Sequence, residues 1–235
     1  MFFYNPTYLI FMIPAFLLMG LASWYVRHAY SKWSRVRTGS GLTGAQAAQR
    51  LLSTGSMYGV QIQGTNGELS DHYDPRNKTL FLSNGVANSP SVASVAIAAH
   101  ELGHAMQDAE EYFPLRFRSA IVPMVNIGSN LGWILIMVGL VFLRSTAFGL
   151  NIAWLGVLFF AGGAVFALAT LPVELDASSR AKRLLAETGI IRSEEEQRGV
   201  NQVLNAAALT YVAGLITAVL QLLYYVFLVG GRRRN

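Results

Sequence analysis

The chain of 235 residues contains no cysteine. Disulfides, thiolate zinc sites, iron–sulfur clusters and a cysteine nucleophile are therefore excluded. Charge is also scarce. Charged residues make up 13% of the chain and apolar residues 53%, whereas a soluble globular domain carries about 25% charged residues. That composition excludes a disordered or acidic solvating chain and points to a membrane protein. The few charges are unevenly placed. Arg27, Lys32, Arg35 and Arg37 follow one apolar run, Arg180, Lys182 and Arg183 follow another, and Arg232, Arg233 and Arg234 end the sequence. Clusters that flank apolar runs are a topology signal. No basic stripe with interleaved aromatics marks a nucleic-acid groove, so no nucleic-acid partner is expected.

Four stretches lack charge for long enough to span a bilayer, which takes about 20 helical residues. They are Met1–Val26, Ser119–Leu143, Ser145–Val173 and Gly199–Gly231. The first has no basic segment before it and no small-residue cleavage site after it, so it reads as an uncleaved anchor. The second holds Asn126, Ser129 and Asn130 in its first half. Only Arg144 and a short polar turn separate it from the third, which predicts a helical hairpin. Trp133, Trp154, Tyr224 and Tyr225 are candidate interfacial anchors, and Gly139, Gly156, Gly162 and Gly163 allow close helix packing.

The expected organisation is an anchor (1–26), a polar domain (27–118), a transmembrane hairpin (119–173), a second polar segment (174–203) and a C-terminal helix with a basic tail (204–235). The two polar regions hold 14 of the 18 Lys and Arg residues. If all four stretches span, the positive-inside rule puts both regions in the cytoplasm and the N-terminus outside. The terminal arginine triplet opposes that arrangement, and a re-entrant fourth segment would reconcile it.

Within 27–118, Thr43–Leu52 reads as a helix, Val60–Gln63 and Thr79–Ser83 as strands, and Asp74–Lys78 as a turn. Thr79–Ser83 either closes a small sheet or serves as an edge that pairs with an extended substrate. A helix is expected from about Ser91 to Asp108. It carries His100-Glu101-Leu102-Gly103-His104, the pattern H-E-x-x-H. Positions i and i+4 lie about 40° apart around a helix and about 6 Å apart along it, so both imidazoles can reach one zinc ion. Zinc lowers the pKa of a bound water to about 7, and Glu101 is placed to take its proton as general base and to return it to a leaving amine. The preceding small residues let this helix pack tightly.

A catalytic zinc ion needs a third protein ligand. Asp108, Glu110 and Glu111 lie on or just past the same helix and would have to fold back. Glu174, on a following helix just after the third apolar stretch, is the stronger candidate, with Asp176 as the alternative. For stabilising the oxyanion, His72 leads, ahead of Tyr73, Arg180 and Tyr211.

Three separated motifs carry a family resemblance. Val95–Gln107 (VAIAAHELGHAMQ), Ser70–Pro75 (SDHYDP) and Pro172–Ala181 (PVELDASSRA), with Asn205–Val212 (NAAALTYV), resemble the YugP-type neutral zinc metallopeptidases of bacterial membranes. The resemblance covers nearly the whole chain. It implies a mainly α integral membrane protein of about four transmembrane helices with a small α+β zincin-like domain, acting as a gluzincin-like endopeptidase. More distantly, the chain is similar to the HtpX and CAAX-prenyl-protease class, whose E-x-x-A-D motif supplies the third ligand. Here Glu174–Ala177 match and Ser178 replaces the final Asp. That Asp supports a ligand histidine, a role open to Asp176 or Ser178. The resemblance implies His100, His104 and Glu174 as ligands of one Zn2+ and Glu101 as base.

The expected function is hydrolysis of peptide bonds in membrane or membrane-proximal proteins, in a multi-pass protein of the bacterial cell (inner) membrane with its site on the cytoplasmic side. Its partners are a protein or peptide substrate and the lipid bilayer, with a membrane adaptor or a homo-oligomer both compatible. The alternatives are a non-catalytic zinc-binding scaffold and a partner-dependent protease subunit. A channel or transporter ranks last, because the apolar stretches carry no ionisable residue.

Overall fold

Apolar residues at helical spacing dominate this chain, and a computed structural model shows a mostly helical protein with one small sheet. It describes residues 6–54, 57, 59–143 and 146–231. Arg144 and Arg232–Arg234, on which the hairpin turn and the basic tail rest, lie outside the described residues. The elements run α1 (Pro6–Trp33), α2 (Gly44–Thr54), β1 (Gln61–Thr65), β2 (His72–Asp74), β3 (Thr79–Ser83), α3 (Asn84–Ala87), α4 (Val92–Ala109), α5 (Phe113–Met137), a π-helical turn (Val138–Phe142), α6 (Ala147–Glu187) and α7 (Glu194–Gly230). Helices α1, α5 with its π-helical turn, α6 and α7 are each long and apolar enough to cross a membrane. The chain divides into two units, one of Met1–Leu21, Phe117–Leu171 and Tyr211–Asn235, the other of Ala22–Arg116 and Pro172–Thr210.

Among its described residues, the first unit is helical apart from Leu143 and Thr146. Its α5–α6 hairpin is closed by glycines. A Cβ on Gly132 would stand 2.8 Å from the carbonyl oxygen of Gly156, and one on Gly156 would stand 2.6 Å from that of Gly132. Such backbone approach drives helix association where no hydrophobic effect separates lipid from side chain. Ile136, Leu140, Ala153, Val157 and Val229 form the buried cluster. Tyr8 of α1 meets Tyr224 of α7 edge to face at 5.2 Å. Large apolar side chains face outward, among them Phe142, Met124, Leu158 and Ile10, the pattern of a surface solvated by lipid.

The second unit holds the sheet, in the order β1-β3-β2. β3 pairs parallel with β1 and antiparallel with β2. Thr79–Ser83 is thus the central strand, with Leu80 and Leu82 fully buried. This corrects the edge-strand alternative, because both sides of its backbone are already hydrogen-bonded. The missing partner is β2, whose three residues are too few to show alternation in the sequence. Helix α4 runs through the core, with Val92, Ala93, Val95, Ala96, Ala98, Ala99 and Leu102 fully buried. Ser91 caps it, accepting a hydrogen bond from the Ser94 amide, and so relieves one unpaired N–H of the first turn.

The separate helix expected to carry Glu174 does not exist. α6 continues through Pro172 to Glu187, so Glu174 shares one helix with the third apolar stretch. Proline removes one backbone donor, and apolar spans tolerate that loss when neighbouring groups re-satisfy the freed carbonyl.

Candidate metal centre

The site forms where α4 and the Pro172–Glu187 part of α6 touch, and Gly103 explains why they can. A Cβ there would lie 2.5 Å from the Ala177 carbonyl oxygen. The two backbones therefore meet directly, one residue before His104 and three residues after Glu174. At this distance the side chains of both helices converge on one point.

His100 Nε2 lies 3.3 Å and His104 Nε2 3.5 Å from the same oxygen, Glu174 Oε2. One ligand atom from each of the three residues lies within 4.8 Å of the others. Zinc bonds to nitrogen and oxygen are about 2.0–2.1 Å long in a tetrahedral arrangement, which sets ligand atoms about 3.3 Å apart by simple geometry. Two imidazole nitrogens and one carboxylate oxygen, buried and spaced in this way, fit that ion. His100 and Glu174 are buried and His104 nearly so, so these polar groups have little water to serve them.

The two Nδ1 atoms face away from this cluster and are engaged. Ser178 Oγ lies 3.2 Å from His100 Nδ1. Gln107 Oε1 lies 2.9 Å from His104 Nδ1. The Gln107 amide group donates to Val173 O and to Asp176 Oδ2, each at 2.8 Å. Asp176 also accepts from Arg180 Nε at 2.6 Å, and Arg180 Nη1 pairs with Glu110 at 2.7 Å. Asp176 thus lies one step behind the imidazoles.

Glu101 is buried beside the two histidines. Burial pushes its carboxyl above the ordinary range, partly countered by His100 and His104 and reinforced by the carboxylates of Glu174 and Asp71. Burial opposes the charge on His104, and Glu174 and Glu101 outweigh that burial to raise its pKa.

The other candidates are placed elsewhere. His72 is exposed on β2, its Nδ1 2.8 Å from Ser70 O and its ring stacked on Phe81 at 4.8 Å, and it is not one of the three clustered ligands. Tyr73 donates its hydroxyl to Asp108 at 2.9 Å, and burial together with that carboxylate raises its pKa. Arg180 is held by Asp176 and Glu110. Tyr211 belongs to the first unit. Of the carboxylates behind α4, Glu111 pairs with Arg116 at 2.8 Å. Gln107 escapes a reading of the sequence. Its only signal is its position three residues after His104, on the same helical face.

Comparison with known proteins agrees with this geometry. Residues 8–230 match the family model described as "Putative neutral zinc metallopeptidase". The chain is 39% identical over 231 residues to "Putative membrane protease YugP" of Bacillus subtilis (strain 168), covering 97% of this chain and 100% of that protein. No solved structure matches. With the match running from the first turns of α1 to the last residue of α7, the chain belongs to the neutral zinc metallopeptidase family that the model describes.

Proposed function

We propose that this protein is a membrane-embedded zinc endopeptidase that cleaves membrane or membrane-proximal proteins, with His100, His104 and Glu174 as the metal ligands and Glu101 as general base and acid. The observation that carries the reading is the convergence of both Nε2 atoms on Glu174 Oε2, at 3.3 and 3.5 Å, with a buried carboxylate next to the first ligand in the chain.

Zinc, when bound, supplies a Lewis acid that acidifies water and polarises the scissile carbonyl. The protein's own groups do the rest. Glu101 accepts the proton of the attacking water as the water oxygen bonds to the carbonyl carbon. It passes that proton to the amide nitrogen as the C–N bond breaks, leaving a carboxylic acid and an amine, which exchange the remaining proton with each other or with water.

The two polar regions carry 14 of the 18 Lys and Arg residues, which supports a cytoplasmic site in a bacterial cell membrane. A paired assay tests the enzyme. Wild type and Glu101→Gln are purified in detergent with zinc, and casein cleavage and self-cleavage are followed by gel. Wild type should cleave, the variant should lose about 10²–10⁴-fold, and both should bind zinc. Equal cleavage by both removes Glu101 from the mechanism. Zinc binding without cleavage by either favours the scaffold or a subunit that needs a partner.

A further inference from the structure

An amide has a direction, and the direction of Gln107 is fixed by its neighbours. Its side chain is fully buried. Its Nε2 lies 2.8 Å from a backbone carbonyl, Val173 O, and 2.8 Å from a carboxylate, Asp176 Oδ2. Both are acceptors only, so the NH2 group must point at them. The oxygen Oε1 is thereby turned to His104 Nδ1 at 2.9 Å. An amide oxygen cannot donate, so Nδ1 must carry the hydrogen. In the neutral ring the lone pair is then left on Nε2, the atom that faces Glu174.

We propose that Gln107 is a positioning residue that holds His104 in its metal-binding tautomer, and that Asp176 and Arg180 act through it. Asp176 fixes the amide. Arg180 fixes Asp176 from Nε at 2.6 Å and reaches Glu110, the C-cap of α4, at 2.7 Å. The chain of contacts starts on α4 at His104, crosses to α6 and returns to the end of α4. It therefore sets the ring orientation and the spacing of the two ligand-bearing segments together. His100 has a different support. The Ser178 hydroxyl at 3.2 Å can donate or accept, so it imposes no tautomer.

This inference rests on the zinc reading of the site. The test is zinc affinity, measured on the full-length detergent-solubilised protein by competition with a chromophoric chelator, with no activity required. Gln107→Leu keeps the volume and removes the acceptor, and should weaken zinc by about 10–100-fold, the usual effect of removing a partner behind a ligand histidine. Gln107→Glu keeps an oxygen facing Nδ1 and should hold zinc more tightly than Gln107→Leu. Asp176→Ala should weaken zinc in the wild-type background and have no further effect on Gln107→Leu, because the two act in series. Affinity unchanged in Gln107→Leu, or additive effects of the two substitutions, overturns the proposal while leaving the metal site standing. Should Gln107→Leu fail to fold, Gln107→Glu is compared with wild type. A loss within about 10-fold supports the proposal, and a larger loss overturns it. A wild type that binds no zinc overturns the reading of the site itself.

Discussion

The α5–α6 hairpin of the first unit and the α4–α6 contact of the second use one packing device for opposite ends. In each, glycine brings two helix backbones together, Gly132 against Gly156 and Gly103 against Ala177. Around the hairpin the neighbours are Ile136, Leu140 and Val157, and close approach yields only packing. Around Gly103 they are His100, His104, Glu174 and Gln107, and close approach creates a candidate metal site. The glycine contact is therefore neutral as to function. The side chains one turn away decide whether it gives packing or chemistry.

The comparison can be broken at several depths. The largest effect is expected from the ligands. Glu174→Ala leaves two imidazoles with no anionic partner, so zinc binding should fall below detection at micromolar metal and hydrolysis should fall with it. Stripping the wild type with a chelator should abolish hydrolysis in the same way, and added zinc should restore it to the wild type alone.

A smaller effect separates the two contacts. Gly103→Ala forces a methyl into the Ala177 carbonyl and should cost about 1–3 kcal/mol. It should weaken zinc, because the ligand-bearing segments are pushed apart. Gly132→Ala meets the Gly156 carbonyl at 2.8 Å, against 2.5 Å at Gly103, and should lower thermal stability by a similar or smaller amount while leaving zinc affinity as it was. Equal loss of zinc affinity in both would show that the two contacts are not separable.

The smallest effect is expected at Gly162, where a Cβ would meet nothing closer than Val125 Cγ2 at 3.9 Å. Gly162→Ala should be neutral or raise stability by up to about 1 kcal/mol through helix propensity, read as a shift in thermal midpoint.

The same contrast separates features that are legible in the sequence from those that are not. The H-E-x-x-H helix is legible because its spacing and its small apolar lead-in point the same way, and the structure places it at Val92–Ala109. Strand Thr79–Ser83 is legible to the residue. Its place in the middle of the sheet is not, since strand order depends on β2, and the Asp74-Pro75 pair reads as a turn. The continuity of α6 is hidden by the charges from Glu174 onward, which end the apolar stretch at Val173 but not the helix. Gln107 is hidden because a glutamine on a helix ordinarily faces solvent. Its meaning depends on Asp176 and the Val173 carbonyl, 69 and 66 residues away.

The use of an amide behind His104 has a consequence for the charge of the centre. Gln107 adds no charge, whereas a carboxylate in its place would. Asp176, the carboxylate behind it, is paired with Arg180 at 2.6 Å, a cation it shares with Glu110. A divalent cation held by His100, His104 and Glu174 would face the carboxylates of Glu174 and Glu101, with that of Asp71 acting on Glu101 as well. Any variant that places a carboxylate behind the imidazole adds negative charge to a buried site.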